Sequence, residues 1–181
     1  MNTLFIISYI ILWLLIVPLI ILNLVLFRQL GIMVMGTARG INDSGVPIGK
    51  KLPFFESYNL EGVRWNLGNE VGKPSLFLFV SPRCTECKKI LPDFIKITSI
   101  YKVNPILFIF AEKEEAREYI KKIGYKGQSL IISHEQAMSL DVSATPFAYA
   151  IDSEGIVKEK GLVNTYGHIE KYVKSMSNKV A

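Results

Sequence analysis

The stretch Leu76-Phe77-Leu78-Phe79-Val80-Ser81-Pro82-Arg83-Cys84-Thr85-Glu86-Cys87-Lys88-Lys89-Ile90-Leu91-Pro92 decides how the rest of this 181-residue chain is read. Its first five residues continue an apolar run from Ser75, directly after Lys73-Pro74, and predict a strand over Ser75–Val80 buried on both faces. Beyond the cysteines, Ile90, Leu91, Phe94, Ile97 and Ile100 recur at helical spacing and predict a helix from Cys84 to about Tyr101. The only two cysteines therefore sit where a buried strand hands over to a helix. Unpaired N–H groups and the positive end of the helix dipole stabilise a thiolate at Cys84, and a thiolate is the species that attacks a disulfide. Cys87, one turn on, is placed to close the ring and release a partner from a mixed disulfide. Arg83, Lys88 and Lys89 add positive charge nearby, and Glu86 opposes it.

Three other readings of the pair compete. Half a zinc site needs two more ligands, and the two histidines, His134 and His168, have no finger-like spacing and read as surface residues. A structural disulfide between positions three apart closes a very small loop and contributes little stability. An inert pair leaves the placement between strand and helix unexplained. Redox use is the reading that accounts for it, and no metal is expected.

Outward from this stretch, short elements alternate. Val63–Leu67 reads as a short strand, Pro105–Phe110 as a buried strand, and Glu112–Ile123 as an amphipathic helix with Ala116, Tyr119, Ile120 and Ile123 inward. Ser129–Ile132 predicts a strand and Glu135–Leu140 one or two helical turns. Phe147–Ile151 and Ile156–Gly161 predict two strands joined by the turn Asp152-Ser153-Glu154-Gly155, and Tyr166–Met176 predicts a closing helix. Six strands interleaved with helices imply an α/β domain, helices packed on a mixed sheet.

The N-terminal end has a different composition. The chain has 21 Lys/Arg and 16 Asp/Glu, a formal net charge of +5, yet none of these residues precedes Arg28. Leu4–Phe27 is 24 uncharged residues, a helix of about 36 Å, enough for a hydrocarbon core of about 30 Å. Pro18 is positioned to kink it. A cleaved signal peptide would have a basic start, a shorter apolar run and a small-residue cleavage site, so the segment reads as an uncleaved anchor. The expected organisation is an anchor over residues 1–27, a glycine-containing juxtamembrane stalk over 28–49 and one domain over 50–181. Composition excludes a disordered chain, a collagen-like repeat and a multi-span membrane protein. Lys121, Lys122 and Lys126 read as a solvated face, without the interleaved aromatic residues of a nucleic-acid site. No phosphate-binding loop is present and no cofactor is expected.

The segment Leu76–Pro92 resembles the active-site strand, motif and first helix of the thioredoxin superfamily. Pro92 lies five residues after the second cysteine, as a helix-kinking proline often does there, and Lys88 directly follows the motif. Ser143-Ala144-Thr145-Pro146-Phe147 resembles the cis-proline loop of that superfamily. The resemblance implies a cis peptide between Thr145 and Pro146 facing the cysteines, with the Thr145 backbone offered to an extended substrate segment. Read alone, Pro146 is an ordinary strand-start proline. The anchor, the Arg28-Gln29-Leu30-Gly31 exit, Val46-Pro47-Ile48-Gly49, Phe54-Phe55 and the VSPRCTECKK motif together resemble the membrane-anchored MauD group of TlpA/ResA-like thiol–disulfide oxidoreductases. Glu112–Ile132 matches the insertion of that broader group.

This resemblance implies a thioredoxin-like fold with one transmembrane helix, Cys84 and Cys87 as catalytic, redox-active disulfide residues, and Thr145 and Pro146 as the substrate-binding loop. It implies a domain on the outer side of a bacterial plasma membrane, exported protein dithiols or disulfides as substrates, a CcdA/DsbD-like membrane dithiol carrier as recycling partner, and a part in methylamine dehydrogenase maturation. Arg83 and Lys88 are candidate tuners of thiol acidity. Two positions depart from the pattern. Ile90 stands where many relatives have Glu, and Leu78 where thioredoxins have a buried Asp, so neither supplies an acid to the second cysteine. That absence keeps a second reading open, a non-catalytic thioredoxin-like binding or assembly module at the membrane. A thiol peroxidase fits less well, because its single-cysteine loop is not a CxxC. Orientation carries a conflict too. Arg28 and Arg39 follow the apolar run, and by the positive-inside rule they would hold the domain in the cytoplasm, whereas tethered CxxC proteins serve oxidising compartments.

Overall fold

In a computed structural model describing residues 3–177, the chain divides into two compact units, Met1–Gly40 and Ile41–Ala181. The first unit carries helix α1, which runs over Thr3–Asp43. Its stretch Phe5–Arg28 is long and apolar enough to cross a membrane, and the side chains there are exposed. Pro18 lies inside the helix, and Tyr9 packs edge-on against Trp13 at 6.3 Å. The backbone stays helical well past Phe27, through Gly31, Gly36 and Gly40, where the glycine content predicts a stalk.

The second unit is a seven-stranded mixed sheet. Its strands are β1 (Glu56–Asn59), β2 (Arg64–Asn66), β3 (Ser75–Val80), β4 (Asn104–Ile109), β5 (Gln128–Ile131), β6 (Phe147–Ile151) and β7 (Val157–Leu162). They lie in the order β2-β1-β5-β4-β3-β6-β7. Strands β3, β4 and β5 are mutually parallel, and every other neighbouring pair is antiparallel. The helices are α2 (Thr85–Tyr101), α3 (Lys113–Ile123), α4 (His134–Ser139) and α5 (Tyr166–Ser177). A 3-10 turn, Leu67–Glu70, follows β2.

Local chemistry explains the element ends. Strand β3 is buried at all six positions, which is why its sequence is an unbroken apolar run. Helix α3 stops at Gly124, whose φ of 66° is left-handed and whose N–H caps the Ile120 carbonyl at 3.0 Å. Helix α4 starts from a capping box in which Ser133 and Gln136 satisfy each other's backbone N–H groups. The Gln136 amide also donates to the Glu56 carbonyl at 2.6 Å and ties α4 to β1.

Two details differ from the sequence expectation. Strand β1, Glu-Ser-Tyr-Asn, has no apolar pattern and is made by its neighbours. It pairs antiparallel with β2 on one side and β5 on the other. Ile100, expected on the inner face of α2, is 57% exposed. The buried face is Cys87, Ile90, Leu91, Phe94, Ile97 and Thr98. At 100° per residue, Ile100 lies about 120° round the helix from Phe94, off that stripe.

Candidate redox site

Strand β3 ends at Val80, and Ser81-Pro82-Arg83 carries the chain to α2. Cys84 is the N-cap of this 17-residue helix, with extended backbone angles of −84° and 116°. Its sulfur accepts the Cys87 N–H at 3.1 Å, so a side chain that caps the helix is also a member of the cysteine pair. Cys84 and Cys87 form a disulfide, with Cα atoms 5.3 Å apart. The two sulfurs sit in unlike surroundings. Cys84 is partly exposed at the helix tip, while Cys87 is fully buried in the apolar layer that includes Leu78, Ile90 and Leu91.

The loop before β6 faces this tip. The Thr145–Pro146 peptide is cis, and the Thr145 carbonyl oxygen lies 3.7 Å from Cys84 Sγ. Pro146 is buried and Thr145 partly exposed. The Pro146 carbonyl accepts the Val163 N–H at 3.0 Å, which fastens the loop to the strand side of the sheet. In the dithiol form the Cys84 S–H has the Thr145 carbonyl as an acceptor within sulfur hydrogen-bonding range.

The two cations expected to tune Cys84 have separate placements. Arg83 is 86% exposed and pairs with Glu115 of α3 at 3.4 Å. That pairing spends part of its charge away from the sulfur. Lys88 is exposed, one residue past Cys87, and its neighbour Lys89 pairs with Glu86 at 2.7 Å. Leu78 and Ile90 are buried, so both positions carry only hydrocarbon next to the cysteine layer.

Beside the pair opens a groove of about 1050 Å³. Ser81 and Arg83 after β3, Phe110 and Glu112 after β4, Ile132 and His134 after β5, and Thr145 form much of its wall. The sequence reading missed the groove and the Arg83–Glu115 pair. The available signal was topological. Crevices in open α/β sheets form outside the C-terminal ends of parallel strands, and β3, β4 and β5 all end here.

A CxxC disulfide capping the helix after a central parallel strand, opposed by a cis-proline loop, defines a thioredoxin-fold thiol–disulfide oxidoreductase. The fold matches solved structures of that class. A putative thiol:disulfide interchange protein DsbE from Chlorobium tepidum superposes with a TM-score of 0.66 at 15% identity, over 73% of this chain and 96% of the other. By sequence, the methylamine utilization protein MauD of Methylobacillus flagellatus is 31% identical over 168 residues, 90% of this chain and 82% of its own length. The MauD of Paracoccus versutus is 28% identical, over 96% and 89% of the two chains. ResA of Bacillus thuringiensis, a thiol-disulfide oxidoreductase, is 24% identical over 86% and 98%. No protein-family model matches the sequence. The chain belongs to the MauD family, within the thioredoxin-like thiol–disulfide oxidoreductases.

Proposed function

We propose that this protein is a membrane-tethered oxidoreductase that exchanges disulfides with exported proteins on the outer side of a bacterial plasma membrane. In this reading residues 1–27 are a single-pass anchor in the lipid bilayer, 28–49 link it to the domain, and 50–181 carry the redox centre. Cys84 is the sulfur that partner proteins meet, and Cys87 resolves. The observation that carries these roles is the contrast in burial, with Cys84 partly exposed beside Thr145 and Cys87 wholly inside.

The chemistry follows from that contrast. A partner thiolate attacks Sγ of Cys84, a new S–S bond forms, and the Cys84–Cys87 bond breaks. The electron pair of that bond leaves on Cys87, which takes up a proton. A second partner thiolate then attacks the partner's own sulfur and expels Cys84. Two electrons have moved from the partner dithiol to the cysteine pair, and the reverse sequence reduces a partner disulfide. Thr145 pairs its backbone with the partner strand, Pro146 holds the loop in place, and Arg83 and Lys88 supply positive charge near the attacking sulfur. A CcdA/DsbD-like membrane dithiol carrier resets the pair. The names of the MauD relatives favour a partner that belongs to methylamine utilization, of the methylamine dehydrogenase type.

The test is to replace Cys87 with Ala and supply an exported partner that carries a disulfide, which the Cys84 thiolate attacks while the partner's other sulfur leaves as a thiolate. A mixed disulfide on Cys84 is expected to accumulate, visible as a band that reductant removes. No adduct on Cys84 in that variant, or an alkylation pattern in which only Cys87 is reachable in reduced wild type, overturns the roles. Compartment is tested by fusing alkaline phosphatase to the C-terminus. An active fusion is expected, and an inactive one supports the positive-inside orientation instead. The hydrocarbon at Leu78 and Ile90 favours a second reading, a non-catalytic assembly module. A Cys84→Ser/Cys87→Ser variant that still matures the partner would establish it.

A further inference from the structure

We propose that the groove beside the cysteine pair is a specificity site, and that it takes a basic stretch of the partner polypeptide adjoining its reactive cysteine. The proposal rests on the oxidoreductase reading above and adds the chemical class of the substrate segment.

Position comes first. Arg83 adjoins Cys84 in sequence, and Thr145 presents its carbonyl 3.7 Å from the Cys84 sulfur; both line the groove. A segment whose cysteine meets Cys84 along Thr145 is therefore led over this wall. Size comes next. At about 1050 Å³ the groove lies at the top of the range of about 300–1,000 Å³ usual for small-molecule pockets, and being open to solvent it has room for a length of chain. Its floor is apolar, with Phe110, Ile132 and Val142, which gives an extended segment a dry surface to lie on.

Charge selects the occupant. The chain as a whole has more basic than acidic residues, 21 against 16. The groove inverts that balance, with Glu112, Glu115 and Glu135 against the single guanidinium of Arg83. Arg83 is already engaged by Glu115. Among the described residues, no cation forms an ion pair with Glu112 or Glu135. The three carboxylates come from two elements, Glu112 at the N-cap of α3 with Glu115 one turn on, and Glu135 in α4. They converge on one groove in an otherwise basic molecule, and complementary charge across an interface sets partner choice and encounter rate.

The experiment uses the full chain, oxidised and in nanodiscs, with three synthetic dithiol peptides. They are identical except that the residues flanking the first cysteine are Lys, Gln or Glu. Second-order rate constants for opening the Cys84–Cys87 disulfide are read by acid quench and mass spectrometry. At low ionic strength the Lys peptide is expected to react about tenfold faster than the Glu peptide, with the ratio collapsing towards one in 0.5 M salt as exposed charges are screened. In a Glu112→Gln/Glu115→Gln/Glu135→Gln variant the Lys/Glu ratio is expected to fall to near one at both ionic strengths. Comparing the ratio between variants cancels the effect of the flanking charges on the peptide thiol itself. Glu154→Gln, in the turn between β6 and β7 at the far end of the sheet, is expected to leave the wild-type ratio. Should the triple variant fail to fold, Glu112→Gln and Glu135→Gln singly are each expected to lose part of the preference.

A wild type that treats all three peptides alike, or a variant that keeps the full preference, overturns the proposal while leaving the redox reading standing. A wild type that reacts with no peptide overturns both. A preference that disappears on dilution of the protein assigns the groove to a second copy of the chain and overturns the proposal as well.

Discussion

The two faces of the sheet are built from the same strands and solved differently. Along β3, Leu76, Leu78 and Val80 point to one face, and Phe77 and Phe79 to the other. Along β6, Ala148 and Ala150 oppose Phe147, Tyr149 and Ile151. The aliphatic face includes residues of α2, α3 and α5, and the small residues of β6 leave room for a helix to approach. The other face is covered by the short α4, Leu67 of the 3-10 turn and the segment from Val46 to Phe55, and large rings take up the space. Phe108 lies at the centre of that cluster, with ring centroids 4.8 Å from Phe79, 5.1 Å from Phe77, 5.5 Å from Trp65 and 5.6 Å from Phe55. The redox pair sits on the helical face, where Cys87 is one more member of the layer. The difference teaches that precision and bulk are divided. Regular helix packing fixes the cysteines, and the aromatic face supplies Phe77, Phe79, Phe108, Phe147 and Tyr149, most of the large fully buried rings.

Neighbouring residues of β4 break the comparison most directly. Leu107 and Phe108 are both fully buried and point to opposite faces. Phe108→Ala removes a ring that four others contact, and is expected to cost about 3–5 kcal/mol of unfolding free energy. Leu107→Ala falls in the broader range of about 2–5 kcal/mol and is expected to cost less than its neighbour, because α2 and α3 can settle into part of the space. Urea denaturation of both variants in the same membrane mimetic measures the pair. A larger loss at Leu107 would mean that the helical face carries the stability as well as the site.

The next effect concerns what covers the aromatic face. The Tyr149 hydroxyl donates to the Leu140 carbonyl at 2.6 Å and accepts the Val46 N–H at 2.7 Å. Asp141 accepts the Gly45 N–H at 2.8 Å, and Lys160 donates to the Gly45 carbonyl. Gly45 has φ of 92°, and a Cβ there would stand 2.6 Å from the Tyr149 oxygen, so this crossing requires glycine. Tyr149→Phe leaves a backbone donor and acceptor without their partner, and is expected to cost about 1–3 kcal/mol. Hydrogen exchange should quicken at residues 44–49 while α2 stays protected. Equal quickening in both would dissolve the distinction between the faces.

Which parts of this were legible in the sequence follows from the same physics. Strand β3, helix α2 and strand β6 declare themselves because burial on both faces, or on one stripe, demands apolar residues at fixed spacing. The CxxC was legible from its placement between a buried strand and a helix, and the loop at Pro146 from a resemblance in motif. Strand β1 was not, because Glu56–Asn59 has no apolar pattern and owes its conformation to pairing with β2, and to β5 and the Gln136 amide, both distant in sequence. The groove was illegible for the same cause. Glu112, Glu115 and Glu135 read as ordinary solvated charges until the parallel strand ends bring them together. Residues 44–49 had the glycines of a free stalk, yet Gly49 donates to the Val157 carbonyl at 2.8 Å and Gly45 is locked by Asp141.

The smallest effect belongs to the β6–β7 turn, where the last strands of both faces meet. Burial pushes the Asp152 carboxyl up, but its bonds to Lys158 and to the Ile156 and Glu154 N–H groups outweigh that and hold it below the usual range. A carboxyl depressed in the folded state stabilises fully above its unfolded value of about 3.9, and that stability is lost as pH falls through the lower folded value. Asp152→Asn removes the charge and keeps an oxygen for the backbone donors. It is expected to cost up to about 1 kcal/mol at neutral pH, in the range of a partly exposed ion pair. The gap between wild type and variant should narrow as pH drops below about 4 and close once pH is below the lowered folded value, where both present a neutral group. Denaturation curves from pH 7 down to 2 measure it. A gap that persists at the acid end would assign the loss to turn geometry, and would make the hairpin a structural hinge between the two faces with no electrostatic share.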